Sequence, residues 1–255
     1  MVLGAGGVLG HAHVGVLEVF DEAGIAFDRI VGSSIGAVVG ALYGSGIRGG
    51  DLVRLAQAVR PRHWLDFSLN RMGLVAGKRL ETVLRFLTRD RRLEQLTPPL
   101  VVVATDIEAG EKVVMNRGPA APAVMASSAV PGLFPPVTIE GRRLMDGAIL
   151  ERVPVSVARD EGANLVVAVS LGFPAGGAGH VSVRNALDVV TRSFDLMQRE
   201  ISRFSVERAD VHIVPRSSEW DGPPSPEALL EEGRRAAREA LPSIRALMSS
   251  EKVVS

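Results

Sequence analysis

Two serines stand between glycines in Gly32-Ser33-Ser34-Ile35-Gly36, directly after the β-branched pair Ile30-Val31 and ahead of an apolar, small-residue run. The spacing G-x-S-x-G puts Ser34 at the centre. Glycines on either side permit a cramped strand-to-helix turn that presents the central hydroxyl at its tip, and the helix dipole behind it favours a developing alkoxide. A serine so placed is a nucleophile for acyl transfer. The other use of a hydroxyl here is as a helix N-cap. Ser34 is the expected nucleophile, and capping is enough to explain Ser33.

Such a nucleophile needs a place for the oxyanion and an acceptor for its proton. The run Gly4-Ala5-Gly6-Gly7-Val8-Leu9-Gly10 precedes a helical pattern. Consecutive glycines there expose backbone N–H groups, so Gly6 and Gly7 are the candidate oxyanion hole. A dinucleotide-binding use fits less well. Counted from Gly4, the third glycine of G-x-G-x-x-G would fall on Leu9, and no acidic residue ends the strand at Val31. The proton acceptor could be one of five histidines. They are His11, His13, His63, His180 and His212: His11 and His13 flank the first glycine loop, His180 lies in a glycine-rich loop, and His212 sits in a strand-like run. The better candidate is Asp146, which ends a short strand in Leu144-Met145-Asp146-Gly147-Ala148. Asp-Gly is also a common turn pair. A free aspartate titrates near ~3.9 and is a weak base, so burial must raise it and the glycine loops must hold the alkoxide.

The rest of the chain bounds this chemistry. Its 255 residues are enough for one large α/β domain, and 46% of them are hydrophobic. Lysine plus arginine equals aspartate plus glutamate at 29 each, which provides no global attraction for nucleic acid. With no cysteine, disulfides, thiol catalysis and cysteine-ligated metals are excluded. The start lacks a basic n-region, and no run approaches the ~18 apolar residues of a membrane span. A cytoplasmic protein is expected, with at most peripheral contact at a membrane surface.

Strand–glycine loop–helix occurs twice within 45 residues, over Val2-Leu3 with helix 11–23 and Ile30-Val31 with helix 35–45, as in βαβ units. Further helices are expected over 51–60, 78–88, 119–128, 183–206 and 226–248. Leu100 to Ala104 and Leu165 to Leu171 read as strands covered on both faces. Residues 111–115 and 211–214 read as two more. Pro131, Pro135 and Pro136 enforce an irregular loop. The stretch 172–180 is the candidate lid, with a plain connector the simpler reading. No composition break divides the chain, so 1–255 is expected to be one domain.

The ordered set of glycine loop, "GSSIG" and "DGA" resembles the patatin-like phospholipases. The stretches "HVGVLEVFDEAGI", "ASSAVPGLFPPV" and "GRRLMDGAILERVPV" extend the likeness to about residue 170. The resemblance implies a three-layer α/β/α sandwich around a mostly parallel sheet and a Ser34–Asp146 dyad in place of a triad. It also implies an oxyanion hole at Gly6 and Gly7 and structural roles for Gly4, Gly10, Gly32, Gly36 and Gly147. The implied activity is hydrolysis of acyl-lipid esters, of phospholipase A or lysophospholipase type, with no metal or organic cofactor. The chain departs from the pattern at Leu9, where members often carry a basic residue. It departs again at Glu151-Arg152, where many have asparagine. Leu133, Phe134, Phe173 and the helix after Ser34 are candidate walls for an acyl chain. A broad carboxylesterase or thioesterase and a regulatory protein that retains the scaffold are the alternatives.

Overall fold

Side chains along the central strands alternate between two apolar faces, and this alternation sets the layers. The computed structural model describes residues 1–59, 66–70, 73–171, 183–215 and 224–251. In chain order the elements are β1 (Val2–Leu3), α1 (His11–Glu22), β2 (Ile30–Ser33), α2 (Ile35–Gly44), α3 (Gly49–Ala58), β3 (Phe67–Asn70), β4 (Gly73–Val75) and α4 (Lys78–Thr88). They continue with β5 (Leu100–Asp106), β6 (Glu111–Met115), α5 (Ala120–Ser127), β7 (Val137–Ile139), β8 (Arg142–Asp146), α6 (Val155–Asp160), β9 (Val167–Val169), α7 (Ala186–Ser205), β10 (Val211–Ile213) and α8 (Pro226–Glu251).

The main sheet runs β10-β9-β1-β2-β5-β8-β7, with β6 also on β5. The first five strands are parallel, and β6, β7 and β8 join antiparallel. Leu3, Ile30, Leu100, Val102 and Val169 face one side, where α1, α2, α5 and α8 contribute to a single large core. Val2, Val31, Val101, Val103 and Ala168 face the other, against Val153, Val155 and Val157 at α6. Residues one apart belong to different cores because the side-chain period of a strand is two. The result is the three-layer α/β/α arrangement around a mostly parallel sheet.

Most expected elements are present with shifted ends. Residues 165–171 narrow to β9, and just before its start Val166 N–H is taken by the Asp210 carboxylate at 2.6 Å. The α1 helix shows no single apolar stripe. Eight of its residues are buried, because the sheet side and α8 enclose it together. The lid candidate 172–180 lies outside the described residues, as do His63, Phe173 and His180.

Candidate active site

The turn that carries Ser34 is strained. Ser34 has φ 54° and ψ −123°, a conformation that costs a residue with a side chain on the order of 1–3 kcal/mol. Ser34 takes the N-cap position of α2, yet no side-chain capping bond forms there. Ser33 does not cap either. It is the last residue of β2, and its buried Oγ has no partner among the described residues. Capping therefore explains neither serine.

Close backbone packing underlies the turn. A Cβ on Gly36 would lie inside the van der Waals shell of Leu3 O, at the end of β1, and one on Gly32 would stand 2.6 Å from Ala37 Cα. Neither obstacle is a flexible side-chain tip, so only glycine lets α2 start this close to the sheet. Gly36→Ala should therefore cost roughly 3 kcal/mol or more of stability, read as a lower urea midpoint at unchanged slope.

Asp146 arrives from the other side. It ends β8, whose pairing with β5 sets Asp146 opposite Ala104, and Thr105 Oγ1 donates to its carbonyl at 3.0 Å. The following turn, Gly147–Ile149, is a short 3-10 helix. A Cβ on Gly147 would press on Val103 O and stand 2.8 Å from Ser33 Oγ, so this glycine also marks a close approach. The Asp146 carboxylate is bound at both oxygens. Ala148 N–H donates to Oδ1 at 2.8 Å, and Ser34 Oγ donates to Oδ2 at 2.7 Å. The turn role and the contact with Ser34 are thus held by one side chain. The two residues are 112 positions apart in the chain. Ser34 is 8% and Asp146 1% exposed.

Burial pushes the Asp146 carboxyl up from 3.8 to about 6, against the hydrogen bonds from Ser34 and Ala148 and the charge of Arg152, all of which favour the anion. The rise brings the group into the range of a useful base. No histidine takes this place among the described residues. His13 is fully buried in α1 with Nε2 at 2.7 Å from Gly4 O, and its surroundings lower it to about 4 through loss of solvation. Accepting from its ring N–H is all that Gly4 O can do, so the Nε2 position carries the proton. His11 binds Val8 O and Ala56 O. His212 is on β10 and exposed.

The first glycine loop is anchored at its base and open at its tip. Gly4 N–H donates to Val169 O at 3.0 Å and Ala5 N–H to Arg152 O at 2.8 Å. Gly7 has φ 53°, and among the described residues the Gly6 and Gly7 N–H groups have no protein acceptor. Gly10 packs so tightly on Ile35 that a Cβ would collide with its Cγ1, which joins this loop to the residue after Ser34. Leu9 is buried in the core. Glu151 is also buried and binds Lys112 Nζ at 2.6 Å and Ser156 Oγ at 2.6 Å, while Ser156 also meets Lys112 at 3.1 Å. Among the described residues, no group of three or more His, Asp or Glu could hold a metal ion.

One participant escaped sequence reasoning. Ser127, at the end of α5, is fully buried, accepts the Ser34 N–H at 2.8 Å and donates to Val103 O at 2.6 Å. Ser34 N–H is therefore not free to meet an oxyanion. In α2, Ala37 and Val38 N–H both close on Ser34 O, so the first-turn N–H groups of Ile35 and Gly36 have no acceptor within the helix. Of the acyl-wall candidates, Leu133 is half-buried against the large core and Phe134 is in it, beside Met125. Phe134 and Met125 also line a cavity of about 340 Å³ with Gly77, Pro135 and Val137.

Comparison with known proteins agrees with this architecture. The family model for patatin-like phospholipase matches residues 1–159. An uncharacterised NTE family protein of Mycobacterium tuberculosis is 37% identical over 182 residues, 70% of this chain and 50% of that protein. Human patatin-like phospholipase domain-containing protein 6 is 32% identical over 185 residues, 68% of this chain and 13% of that protein. This chain spans half the length or less of both relatives. Among solved structures, VipD from Legionella pneumophila superimposes with a TM-score of 0.65 at 15% identity, over 94% of this chain and 66% of that one. That likeness concerns the fold. The chain belongs to the patatin-like phospholipase family.

Proposed function

We propose that this protein hydrolyses acyl esters of lipids through Ser34, with Asp146 as proton acceptor and an acyl-enzyme intermediate. The observation that carries this is the 2.7 Å hydrogen bond from Ser34 Oγ to the buried Asp146 carboxylate. Ser34 Oγ attacks the ester carbonyl as Asp146 takes its proton. The tetrahedral oxyanion lies against the open N–H groups of Gly6 and Gly7. Collapse expels the alcohol or lysolipid, which takes the proton back from Asp146. Water then attacks the acyl-enzyme with Asp146 as base and releases the fatty acid. Each oxyanion donor contributes roughly 10²–10³ in turnover.

Family membership supports lipid esters as the substrate class. The proposal extends to phospholipase A or lysophospholipase specificity. Two apolar side chains on the loops that carry the site are exposed, Val8 at 77% and Leu150 at 40%. Isolated water-facing apolar groups are ordinary, but beside this pair they suit transient contact with a lipid surface. Among the described residues, no helix is long and apolar enough to cross a membrane.

A substrate panel tests the assignment. Phosphatidylcholine and lysophosphatidylcholine in mixed micelles should be hydrolysed with release of fatty acid, alongside p-nitrophenyl butyrate. Turnover confined to short soluble esters or to acyl thioesters would overturn the lipid assignment. No turnover of any ester would point to a scaffold without catalysis.

A further inference from the structure

Among the described residues the strained backbone of Ser34 has one side-chain tether, and that tether comes from a different element. Val103 O can only accept, so the single proton of the Ser127 hydroxyl points at it, and a lone pair of the same oxygen receives the Ser34 N–H. Both bonds are buried, and Ser127 is fully inaccessible. Val103 is also the register partner of Ser33 in the parallel pairing of β2 with β5. Ser127 thus ties the turn residue to the strand beside it, at the peptide where the chain leaves the sheet and takes positive φ. Without the tether, the peptide joining Ser33 and Ser34 can rotate toward a relaxed φ, and this would swing the Ser34 hydroxyl away from Asp146.

We propose that Ser127 is a positioning residue for the reaction, holding the Ser34 N–H so that the hydroxyl faces the Asp146 carboxylate. The inference rests on the hydrolytic role proposed for Ser34. It differs from a purely structural role, in which Ser127 would satisfy two buried backbone groups and its loss would lower only the folded fraction. Its neighbour Ser128 is the natural control, because the Ser128 hydroxyl is buried and has no partner among the described residues.

The test is the rate of covalent labelling of Ser34 by a fluorophosphonate, counted per folded molecule, in Ser127→Ala, Ser127→Cys and Ser128→Ala. Misplacing a nucleophile by about 1 Å can cost on the order of 10²-fold. Ser127→Ala should therefore label and turn over p-nitrophenyl butyrate roughly 10–100-fold more slowly than wild type, with KM changed by less than about twofold. The acid limb of its pH profile should move up from about 6, because Asp146 keeps its burial and loses the Ser34 hydrogen bond that favours the anion. The isosteric Ser127→Cys, whose thiol is a weak donor and acceptor, should fall between the two, and it preserves the test if the alanine variant does not fold. Ser128→Ala should match wild type. Labelling of both Ser127 variants at the wild-type rate per folded molecule would overturn the proposal and leave Ser34 untouched. Failure of wild type itself to label at Ser34 would instead overturn the hydrolytic role.

Discussion

Ser34→Ala removes ester turnover, with kcat expected to fall by on the order of 10⁴-fold or more. So large a loss follows from the absence of a substitute. Ser33 is adjacent in sequence, but strand alternation turns its hydroxyl to the side packed beside Gly147, and it is fully buried. An attack from Ser33 would have to proceed without Asp146 and without the open N–H groups of Gly6 and Gly7. Ser33→Ala should accordingly keep most of the activity, and the pair of variants separates the two hydroxyls of "GSSIG". Whatever rate survives in Ser34→Ala should come from water attacking an ester carbonyl polarised by the glycine-loop N–H groups. Steady-state kinetics on p-nitrophenyl butyrate, with circular dichroism to confirm folding, provides the comparison.

Asp146→Asn should also lose on the order of 10⁴-fold in turnover, since the amide holds the turn and cannot accept the proton. It also separates two effects of pH. In the mechanism proposed here the anion is the proton acceptor, so kcat/KM of the wild type should be full above pH 7 and fall through an acid limb near 6, set by the raised carboxyl. Stability runs the other way. The folded carboxyl titrates at about 6 and the unfolded one at 3.8, so the folded state favours the neutral acid. That contribution is fully present below 3.8 and is lost as pH rises through about 6. Above this window the buried anion costs on the order of 2–3 kcal/mol, from 1.36 kcal/mol per pKa unit. Asp146→Asn should therefore raise the melting temperature at pH 8 and change it little at pH 4. An inactive variant that gains stability only where Asp146 would be charged is the pattern of a group held for chemistry at the expense of the fold.

The hydrogen-bonded pair Ser34 and Asp146 was legible in the sequence because the chemistry proposed for it requires rare local geometry. A serine can sit at positive φ between close-packed layers only with glycines at Gly32 and Gly36, and those glycines stand in the text. Asp146 could be read because a strand must end before Gly147. Ser127 was not readable in this way. In "VMASSAV" a serine looks like any other small residue of a buried helix, and the partners of its hydroxyl lie 24 and 93 positions away. The available signal was weaker: a hydroxyl in a wholly apolar segment must find a buried partner. The strand β7 was hidden for a different reason. Pro135 and Pro136 directly before it suggest a loop, yet proline is tolerated next to an edge strand, and β7 is at the edge. The short α6 follows Pro154 with only six residues, too few for helical periodicity to register.

The central claim is that the hydroxyl of residue 34 is chemically activated, and this can be read directly. The folded protein is incubated with a fluorophosphonate at pH 8, digested, and mapped by tandem mass spectrometry. One adduct is expected, on Ser34, formed quickly in the wild type, at least ~10²-fold more slowly in Asp146→Asn, and not at all after heat unfolding. An unmodified Ser34, or an adduct formed equally well without the Asp146 carboxylate, would contradict it.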